Sequence, residues 1–458
     1  MPAGGDVFRV WFEVEDFLRY FDHFRNPTGL QRVPFEIFVE AERHYAGRVR
    51  FCRLSVYSKE LIPIDFDEVL AAYLHPPGAD APWKAIWAPA QFFSAPFSML
   101  TVIIRHAGFF LGLAKTALRD LRDKALRRRR FAAAARAGDI VASLGASWGV
   151  PGYMQRIAAA KRRHGINYAF LIHDLIPIEN PHFVEKRHVA QFRDWLREAL
   201  PNADMVLTIS QYSRGVLLAL AEQAGWRLPP VAAVAPGAAF SDRPVAGGSS
   251  TMRFPDRFVL FVSTIEIRKN HRLLVKVWKR LIERHGADAV PVLIFVGQIG
   301  WLVDDLMAEL AATSFLAGKI EHRRGLSDAE LYDAYRSCLF TVFPSLCEGW
   351  GLPVAESLAQ GKLCVASSRT SIPEVGGDLV DYFDPADEDD ALAKIERVLF
   401  EPGYLAAREA RLKAEYRPRS WTACVDALIA ALSMIPKKPA PGLIGDGHRF
   451  SEKVMLHQ

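Results

Sequence analysis

Glu348 and Glu356 stand with seven residues between them in Ser345-Leu346-Cys347-Glu348-Gly349-Trp350-Gly351-Leu352-Pro353-Val354-Ala355-Glu356. The preceding run, Cys338–Phe343, reads as a buried strand. Pro353 fits the first helical position and Gly361 the residue past the helix end. The order is therefore strand, tight loop, short helix, with Glu348 in the loop and Glu356 about one turn into the helix. Glycines let backbone N–H groups approach a ligand, and a helix N-terminus adds unpaired donors and partial positive charge that suit a phosphate. Carboxylates beside such a cradle need donors to accept from, and sugar or ribose hydroxyls supply them. The same residues also fit a plain helix whose Glu356 is favoured by the dipole. The local pattern leaves both readings open.

A second strand–loop–helix runs from Phe258 to Asn270 and places Arg268 and Lys269 where the chain enters a helix. Cations there pair with phosphate oxygens that already face N–H donors. An exposed Arg-Lys pair in a loop is the alternative. In the first half, His173-Asp174 follows the strand Tyr168–Ile172, at the end where cleft residues gather, and a structural histidine fits equally well. The chain has no P-loop, no G-x-G-x-x-G after a first strand and no H-E-x-x-H. Asp65-Phe66-Asp67 has the form of a D-x-D metal motif but reads as a helix start. No metal and no cofactor are expected.

The elements around these residues alternate strand and helix, as parallel α/β sheets require. Strands are expected at Phe8–Val14, Val49–Val56, Asp139–Leu144, Asn167–Ile172, Asp204–Ile209 and Val231–Ala235. A helix Gly29–Arg43 is entered through Asn26-Pro27-Thr28. The polar stretch 241–253 reads as a linker. A second series then gives strands Phe258–Val262 and Val292–Val296 and a helix capped by Asn270. It continues with a Ser327/Glu330 capping box and a closing amphipathic helix, Trp421–Leu432. The expected division is a first domain over 1–240, a second over 254–434 and a tail over 435–458. A cleft lies between the two at the carboxyl ends of the strands.

At 458 residues, two cores fit better than one. Half of the residues are hydrophobic, which excludes a disordered chain. Cys52, Cys338, Cys347, Cys364 and Cys424 are widely spaced, which argues against zinc ribbons and a disulfide framework and fits a reducing compartment. Met1–Val14 lacks a basic start followed by an apolar run, so no signal peptide is expected. Net charge is only +5, but it is uneven. An insertion over about 75–138 carries an apolar stretch, Phe92–Leu118, followed by a basic run that includes Arg127, Arg128, Arg129 and Arg130. The apolar runs are too short to span a bilayer. The pairing suggests docking of residues 92–136 on an anionic membrane surface, or a helical insertion packed on the first domain. Nucleic acid is not expected, since no aromatics interleave the basic residues.

Together these segments resemble the retaining glycosyltransferases of family 4, which have the GT-B architecture. In the second half the resemblance rests on Ser263–Asn270 (STIEIRKN), Gly325-Leu326-Ser327-Asp328, Phe343–Gly361 (FPSLCEGWGLPVAESLAQG), Ser371–Gly377 (SIPEVGG) and Phe383-Asp384-Pro385. In the first half it is patchier: Pro27–Val33 (PTGLQRV), Gly145-Ala146-Ser147-Trp148 and His173-Asp174-Leu175-Ile176-Pro177. It is strongest for members that build bacterial surface polysaccharides. The resemblance implies two Rossmann-like parallel-sheet domains facing across a cleft. It also implies a nucleoside-diphosphate sugar as donor, GDP-mannose first, with a UDP- or dTDP-sugar also open. A growing, lipid-linked glycan would be the acceptor, and the configuration would be retained.

Residue by residue, the resemblance implies that Glu356 accepts from the donor's ribose hydroxyls. Glu348, with the amides of Gly349, Trp350, Gly351 and Leu352, would hold the transferred sugar. Lys269, helped by Arg268, would neutralise the leaving diphosphate, and the backbone near Leu326 would touch the base. His173, with Asp174 beside it, would face the acceptor side, and Gly29 in the first loop would allow close approach. Many members carry Gly and then a second basic residue after the first strand of the second half. Ser263 and Thr264 stand there instead, so Thr264 offers only a neutral hydrogen bond. A non-catalytic nucleotide-sugar-binding scaffold, or an epimerase or phosphorylase of the same fold, is the alternative. The expected location is the cytoplasm, peripheral on the inner face of the membrane.

Overall fold

The computed structural model describes residues 8–22, 24, 27–55, 60–75, 131–238 and 252–436. The first sheet has seven strands: β1 (Val10–Glu13), β2 (Val49–Leu54), β3 (Leu61–Ile64), β4 (Ile140–Ser143), β5 (Asn167–Ile172), β6 (Met205–Thr208) and β7 (Val231–Ala233). Their order is β3-β2-β1-β4-β5-β6-β7. All pairings are parallel except β2 with β3, an antiparallel edge. The second sheet has six strands: β8 (Phe258–Val262), β9 (Val292–Val296), β10 (Ile320–Arg323), β11 (Thr341–Phe343), β12 (Cys364–Ser367) and β13 (Asp381–Phe383). Their order is β10-β9-β8-β11-β12-β13, parallel throughout.

The apolar runs explain the strands. In β5 all six residues are buried, as expected where helices cover both faces of a parallel sheet. Chain order reverses between β1 and β4 in the first sheet and between β8 and β11 in the second. Ligands of such sheets bind beyond the carboxyl ends at that reversal. The loops that leave β4 and β5 carry Gly145 and His173, and the loops that leave β8 and β11 carry Lys269 and Glu348.

Some of the helices start where a side chain satisfies a first N–H group. Ser327 and Glu330 form the expected capping box. Gln31 accepts from the Thr28 N–H at 3.2 Å at the start of Gly29–Tyr45. Asn270 differs from its expected role. It precedes the helix His271–His285 in a left-handed conformation and does not cap it with its side chain. Its amide donates instead to Pro344 O at 3.3 Å and Pro385 O at 2.9 Å, tying three loops together. Asn tolerates this backbone better than most residues.

The expected boundary at 434 also changes. The helix Trp421–Ser433 follows the second sheet in the chain, but its buried face joins the core of the first sheet. Trp421, Val425, Leu428 and Leu432 pack there with Phe35, Ile37 and Phe38. Trp421 lies so close to Gly237 that a Cβ there would stand 2.7 Å from its ring. Amphipathic spacing shows which face of a helix is buried, not which sheet covers it.

Of the insertion, residues 76–130 lie outside the described residues, and with them most of the segment 92–136 for which membrane docking is one expectation. So do residues 239–251 of the linker and 437–458 of the tail. On the far side of the insertion Phe131 packs edge-on to Trp11 with ring centroids 4.8 Å apart.

Trp421→Ala removes a ring that is almost fully buried. It is expected to cost about 3–5 kcal/mol, read as a lower urea midpoint of the first half's unfolding. A loss below about 1 kcal/mol would contradict this packing.

Candidate functional site

The loop after β8 turns through Ile267–Lys269 and meets the loop after β11, where Leu346 N–H donates to Arg268 O at 2.8 Å. This contact sets Arg268 and Lys269 on either side of Glu348. Arg268 Nη1 donates to Glu348 Oε2 at 2.8 Å and to Cys347 O at 2.9 Å, and Arg268 Nε pairs with Glu266 Oε1 at 2.7 Å. Lys269 Nζ donates to Glu348 Oε1 at 2.5 Å. Glu348 is 8% exposed. Burial alone pushes its carboxyl up, but the two cations overcome that and hold it at about 2. Burial works against Arg268, yet Glu348 and Glu266 raise its pKa, so it stays charged. Burial raises Glu266, and Arg268 and Lys269 pull it back in part.

The rest of the loop is pinned by polar contacts. Glu348 N–H donates to Thr370 Oγ1 at 3.0 Å, and Ser371 Oγ lies 2.9 Å from both Glu348 O and Trp350 O. Gly351 has φ +132°, a backbone few side chains tolerate. The helix Leu352–Ala359 then starts with no side-chain cap. Pro353 has no N–H, and those of Val354 and Ala355 turn back to Gly351 O at 3.0 and 3.3 Å, so the N–H of Leu352 and the positive end of the helix are what this turn offers an anion. Pro353 occupies its second position rather than the first.

Glu356 is 2% exposed one turn along. Its Oε2 accepts from Tyr335 OH at 2.6 Å, and its Oε1 meets Arg32 Nη1 at 3.2 Å. Arg32 comes from the helix Gly29–Tyr45 of the first half, and its Nη2 reaches Asp328 Oδ1 at 2.6 Å. Burial raises the Glu356 carboxyl above its ordinary value, against the opposing pull of Arg32 and the Tyr335 hydroxyl.

The first half closes on the same place. A Cβ on Gly349 would stand 1.9 Å from His173 O, so only glycine fits against that carbonyl. His173 Nε2 lies 2.7 Å from Leu144 O, and burial lowers its pKa. The neutral ring then carries its proton on Nε2 and leaves Nδ1 as an acceptor. Asp174 Oδ1 accepts from Ile176 N–H at 3.1 Å, and its charge raises the pKa of Arg268 across the cleft.

The structure thus brings His173, Asp174, Arg268, Lys269, Glu348 and Gly349 together, with Glu356 a helical turn beyond. Other candidates sit differently. Thr264 lies under Gly300 in the loop after β8. Leu326 is half-buried against the core on the β10 side of the sheet. Trp350 turns its ring into the core of the first half. Leu352 meets Gly29, which begins a helix rather than lying in a loop. A Cβ there would find ordinary contact at 3.6 Å, so close approach does not require that glycine. Among the described residues no three His, Cys, Asp or Glu side chains gather as metal ligands do.

Sequence reasoning missed several residues. Arg32 and Tyr335 hold Glu356. Glu374 of the second half accepts from Gln211 N–H at 2.8 Å and Tyr212 N–H at 2.6 Å, capping a first-half helix across the cleft. At the end of β1, Glu13 is almost fully buried. It accepts from Glu15 N–H, Leu54 N–H and Tyr153 OH at 2.8–3.0 Å. Burial, with Asp16 nearby, raises Glu13 to about 8, and burial raises Asp16 to about 6. The only signal for this group is the run Glu13-Val14-Glu15-Asp16 at a strand end, which reads as ordinary surface charge.

Residues 250–417 match the family model described as glycosyl transferases group 1. Over that segment the chain resembles a group 1 glycosyltransferase domain. The chain is 28% identical over 266 residues to the O-antigen chain mannosyltransferase B of Escherichia coli, covering 57% of this chain and 69% of that one. It is 28% identical over 260 residues to the serotype-specific mannosyltransferase WbdA of Escherichia coli, covering 54% of this chain but only 31% of that longer one. Against the D-inositol 3-phosphate glycosyltransferase of Thermobifida fusca it is 31% identical over 186 residues, 38% and 41% of the two chains. The Anabaena protein HepE, solved with UDP and glucose, superimposes with a TM-score of 0.56 at 15% identity over 93% of this chain and 100% of that one. A glycosyltransferase from Rickettsia africae gives 0.55 at 13% identity over 94% and 99%. These two establish the fold. It is the GT-B architecture, and the residues that match the group 1 model lie in its second half.

Gly349→Ala is expected to hold the two halves apart. Small-angle scattering should give a larger radius of gyration, while denaturant stability of the group 1 domain changes little. An unchanged radius would contradict the contact with His173. For Glu13 the raised pKa means that the folded chain binds a proton the unfolded chain releases above about 4.5. Its contribution to stability is therefore complete below that pH and is lost as pH rises through about 8. Glu13→Gln should flatten the fall in melting temperature between about pH 5 and pH 8. An equally steep fall in the variant would rule out Glu13 as its source.

Proposed function

We propose that this chain transfers a hexose from a nucleoside-diphosphate sugar to a hydroxyl of a growing surface polysaccharide, with retention of configuration and without a metal ion. Mannose from GDP-mannose is the first candidate. The observation that carries the proposal is Glu348, held ionised between Arg268 and Lys269 beside an uncapped helix N-terminus, inside a group 1 domain. The names of the two Escherichia coli relatives support mannose and a polysaccharide acceptor.

In this reading Glu356 accepts from the ribose hydroxyls, and Glu348 accepts from hydroxyls of the sugar. The diphosphate lies against Lys269 and the first turn of Leu352–Ala359. As the bond between the sugar's anomeric carbon and the diphosphate oxygen breaks, negative charge grows on that oxygen, and cation and amides stabilise it. The acceptor oxygen forms the new bond on the same face, and its proton passes to the departing diphosphate. Neutral His173 offers Nδ1 to an acceptor-side hydroxyl. Peripheral docking on the cytoplasmic face of a membrane rests on the sequence pattern of 92–136 alone. The scaffold, epimerase and phosphorylase alternatives predict no glycosyl transfer.

The test is a thermal-shift screen with GDP, UDP, dTDP and their sugars, followed by transfer assays with the sugar that binds. One nucleotide family should raise the melting temperature selectively. Lys269→Ala should then lower kcat by about 10²–10³ with a smaller change in donor KM. Normal turnover in that variant would remove Lys269 from the reaction.

A further inference from the structure

Glu356 is the carboxylate that the proposed function assigns to the ribose, yet its nearest cation belongs to the other half of the molecule. Arg32 and Glu356 are 324 residues apart in the chain and 3.2 Å apart in space. Both are largely buried, with side-chain exposures of 16% and 3%. The Arg32 fork is split. Nη1 takes Glu356, while Nη2 takes Asp328 at 2.6 Å, in the first turn of the helix Asp328–Ser337. Arg32 therefore spans two second-half helices, meeting the first turn of Asp328–Ser337 and the second turn of Leu352–Ala359.

The groups around Glu356 make Arg32 decisive. From Asp328–Ser337, Tyr335 donates to Oε2 at 2.6 Å, and Asp328 adds negative charge. Behind Tyr335 lies Cys364 of β12. From the first half, Glu36 and Tyr73 face Arg32. Of these groups Arg32 alone is a cation. A carboxylate with so little water that lost this cation would take up a proton. It would then present an O–H where ribose hydroxyls need an acceptor. While ionised, it has about four acceptor positions. Arg32 and Tyr335 use two, and two remain for vicinal hydroxyls.

We propose that Arg32 is a donor-positioning residue lent by the first half, holding Glu356 ionised and oriented for the ribose, so that the nucleotide site is complete only when the halves are together. The inference rests on the reading of Glu356 as the ribose acceptor. It makes donor affinity a property of the closed molecule rather than of the group 1 domain.

The experiment titrates the full chain with GDP and UDP, each beside its 2′,3′-dideoxy form, from about pH 6 to pH 9 by calorimetry. The unaltered chain should prefer the ribose form of the nucleotide it binds. Arg32→Gln should weaken that form about tenfold, as the loss of one charge-assisted contact would, while leaving the dideoxy form nearly unchanged. Because loss of the cation raises the Glu356 pKa further, affinity of the variant should recover as pH rises. Arg32→Lys keeps the charge and most of the packing. It should lose less affinity and show a flatter pH profile, and it reads the same ratio if Arg32→Gln does not fold. If both Arg32 variants keep the ribose preference and the pH profile of the unaltered chain while Glu356→Gln loses the preference, Arg32 has no such role and the Glu356 assignment stands. If Glu356→Gln keeps it too, the ribose assignment itself falls. Failure of the unaltered chain to bind either nucleotide would overturn the ribonucleotide donor reading and with it the role of Arg32.

Discussion

A carboxylate cannot stay ionised in a dry place without cations, and Glu348 has two. Removing one partner from such a group leaves charge without compensation, at a cost of roughly 3–5 kcal/mol. The loops after β8 and β11 must therefore be held together to fractions of an ångström, and much of the local sequence serves that need. Asn270 accepts a left-handed backbone to tie its loop to Pro344 and Pro385. Thr370 and Ser371 fix the backbone of Glu348 and Trp350 from a third loop. The strands contribute by ending together. β8 and β11 are neighbours where the chain order reverses, so their carboxyl ends deliver both loops to one spot.

The contacts between the halves fall into two energetic classes. The helix Trp421–Ser433 returns to the first sheet and buries Trp421, Leu428 and Leu432 in its core. Burial of three such side chains contributes several kcal/mol at about 1.5–3 each, so this side is permanent. The cleft side is polar. Arg32 meets Asp328 and Glu356, Glu374 caps the helix at Gln211, and Trp301 Nε1 donates to Phe183 O at 2.9 Å. The exposed contacts among these, those of Glu374 and Trp301, exchange readily with water and contribute about 1 kcal/mol each, whereas the buried Arg32–Glu356 pair separates only if water reaches both partners. Opening, when it occurs, therefore breaks the cleft contacts and pivots near the returning helix. In the proposed reaction, such an opening would admit the donor and release the product.

Much of this was legible in sequence because it is local. Continuous apolar runs marked β5, β8 and β9, and Ser327 with Glu330 announced their helix. What failed was long-range. The Trp421 helix has the same stripe whichever sheet it covers. Arg32 sat in view within PTGLQRV, but nothing in its neighbours points to Glu356. Glu13 falls inside the expected strand Phe8–Val14, but its partners Tyr153 and Leu54 are ones that pattern cannot bring near. β3 and β13 are short edge strands, and Pro63 within β3 reads as a break until an antiparallel edge gives it a place. Asn270 had the right residue type for a cap, and only the backbone reveals that its amide serves other loops.

The charge balance around Glu348 decides which cation can meet a diphosphate. Two cations, Arg268 and Lys269, face two carboxylates, Glu348 and Glu266, so the occupied pairs leave little net charge for an incoming anion. Arg268 has five donors, but its fork already serves Glu266, Glu348 and Cys347 O, and its burial leaves it little freedom to turn. Lys269 spends one of three protons on Glu348. Its ammonium can rotate the other two toward a phosphate without abandoning that carboxylate. The uncapped first turn of Leu352–Ala359 adds the Leu352 N–H and the helix's partial positive charge, with no side chain competing for them. Thr264, where relatives of this kind often carry a base, contributes no charge at all. The load of the leaving group in the proposed reaction therefore falls on Lys269 and the helix N-terminus. Arg268 keeps Glu348 in place so that both can act.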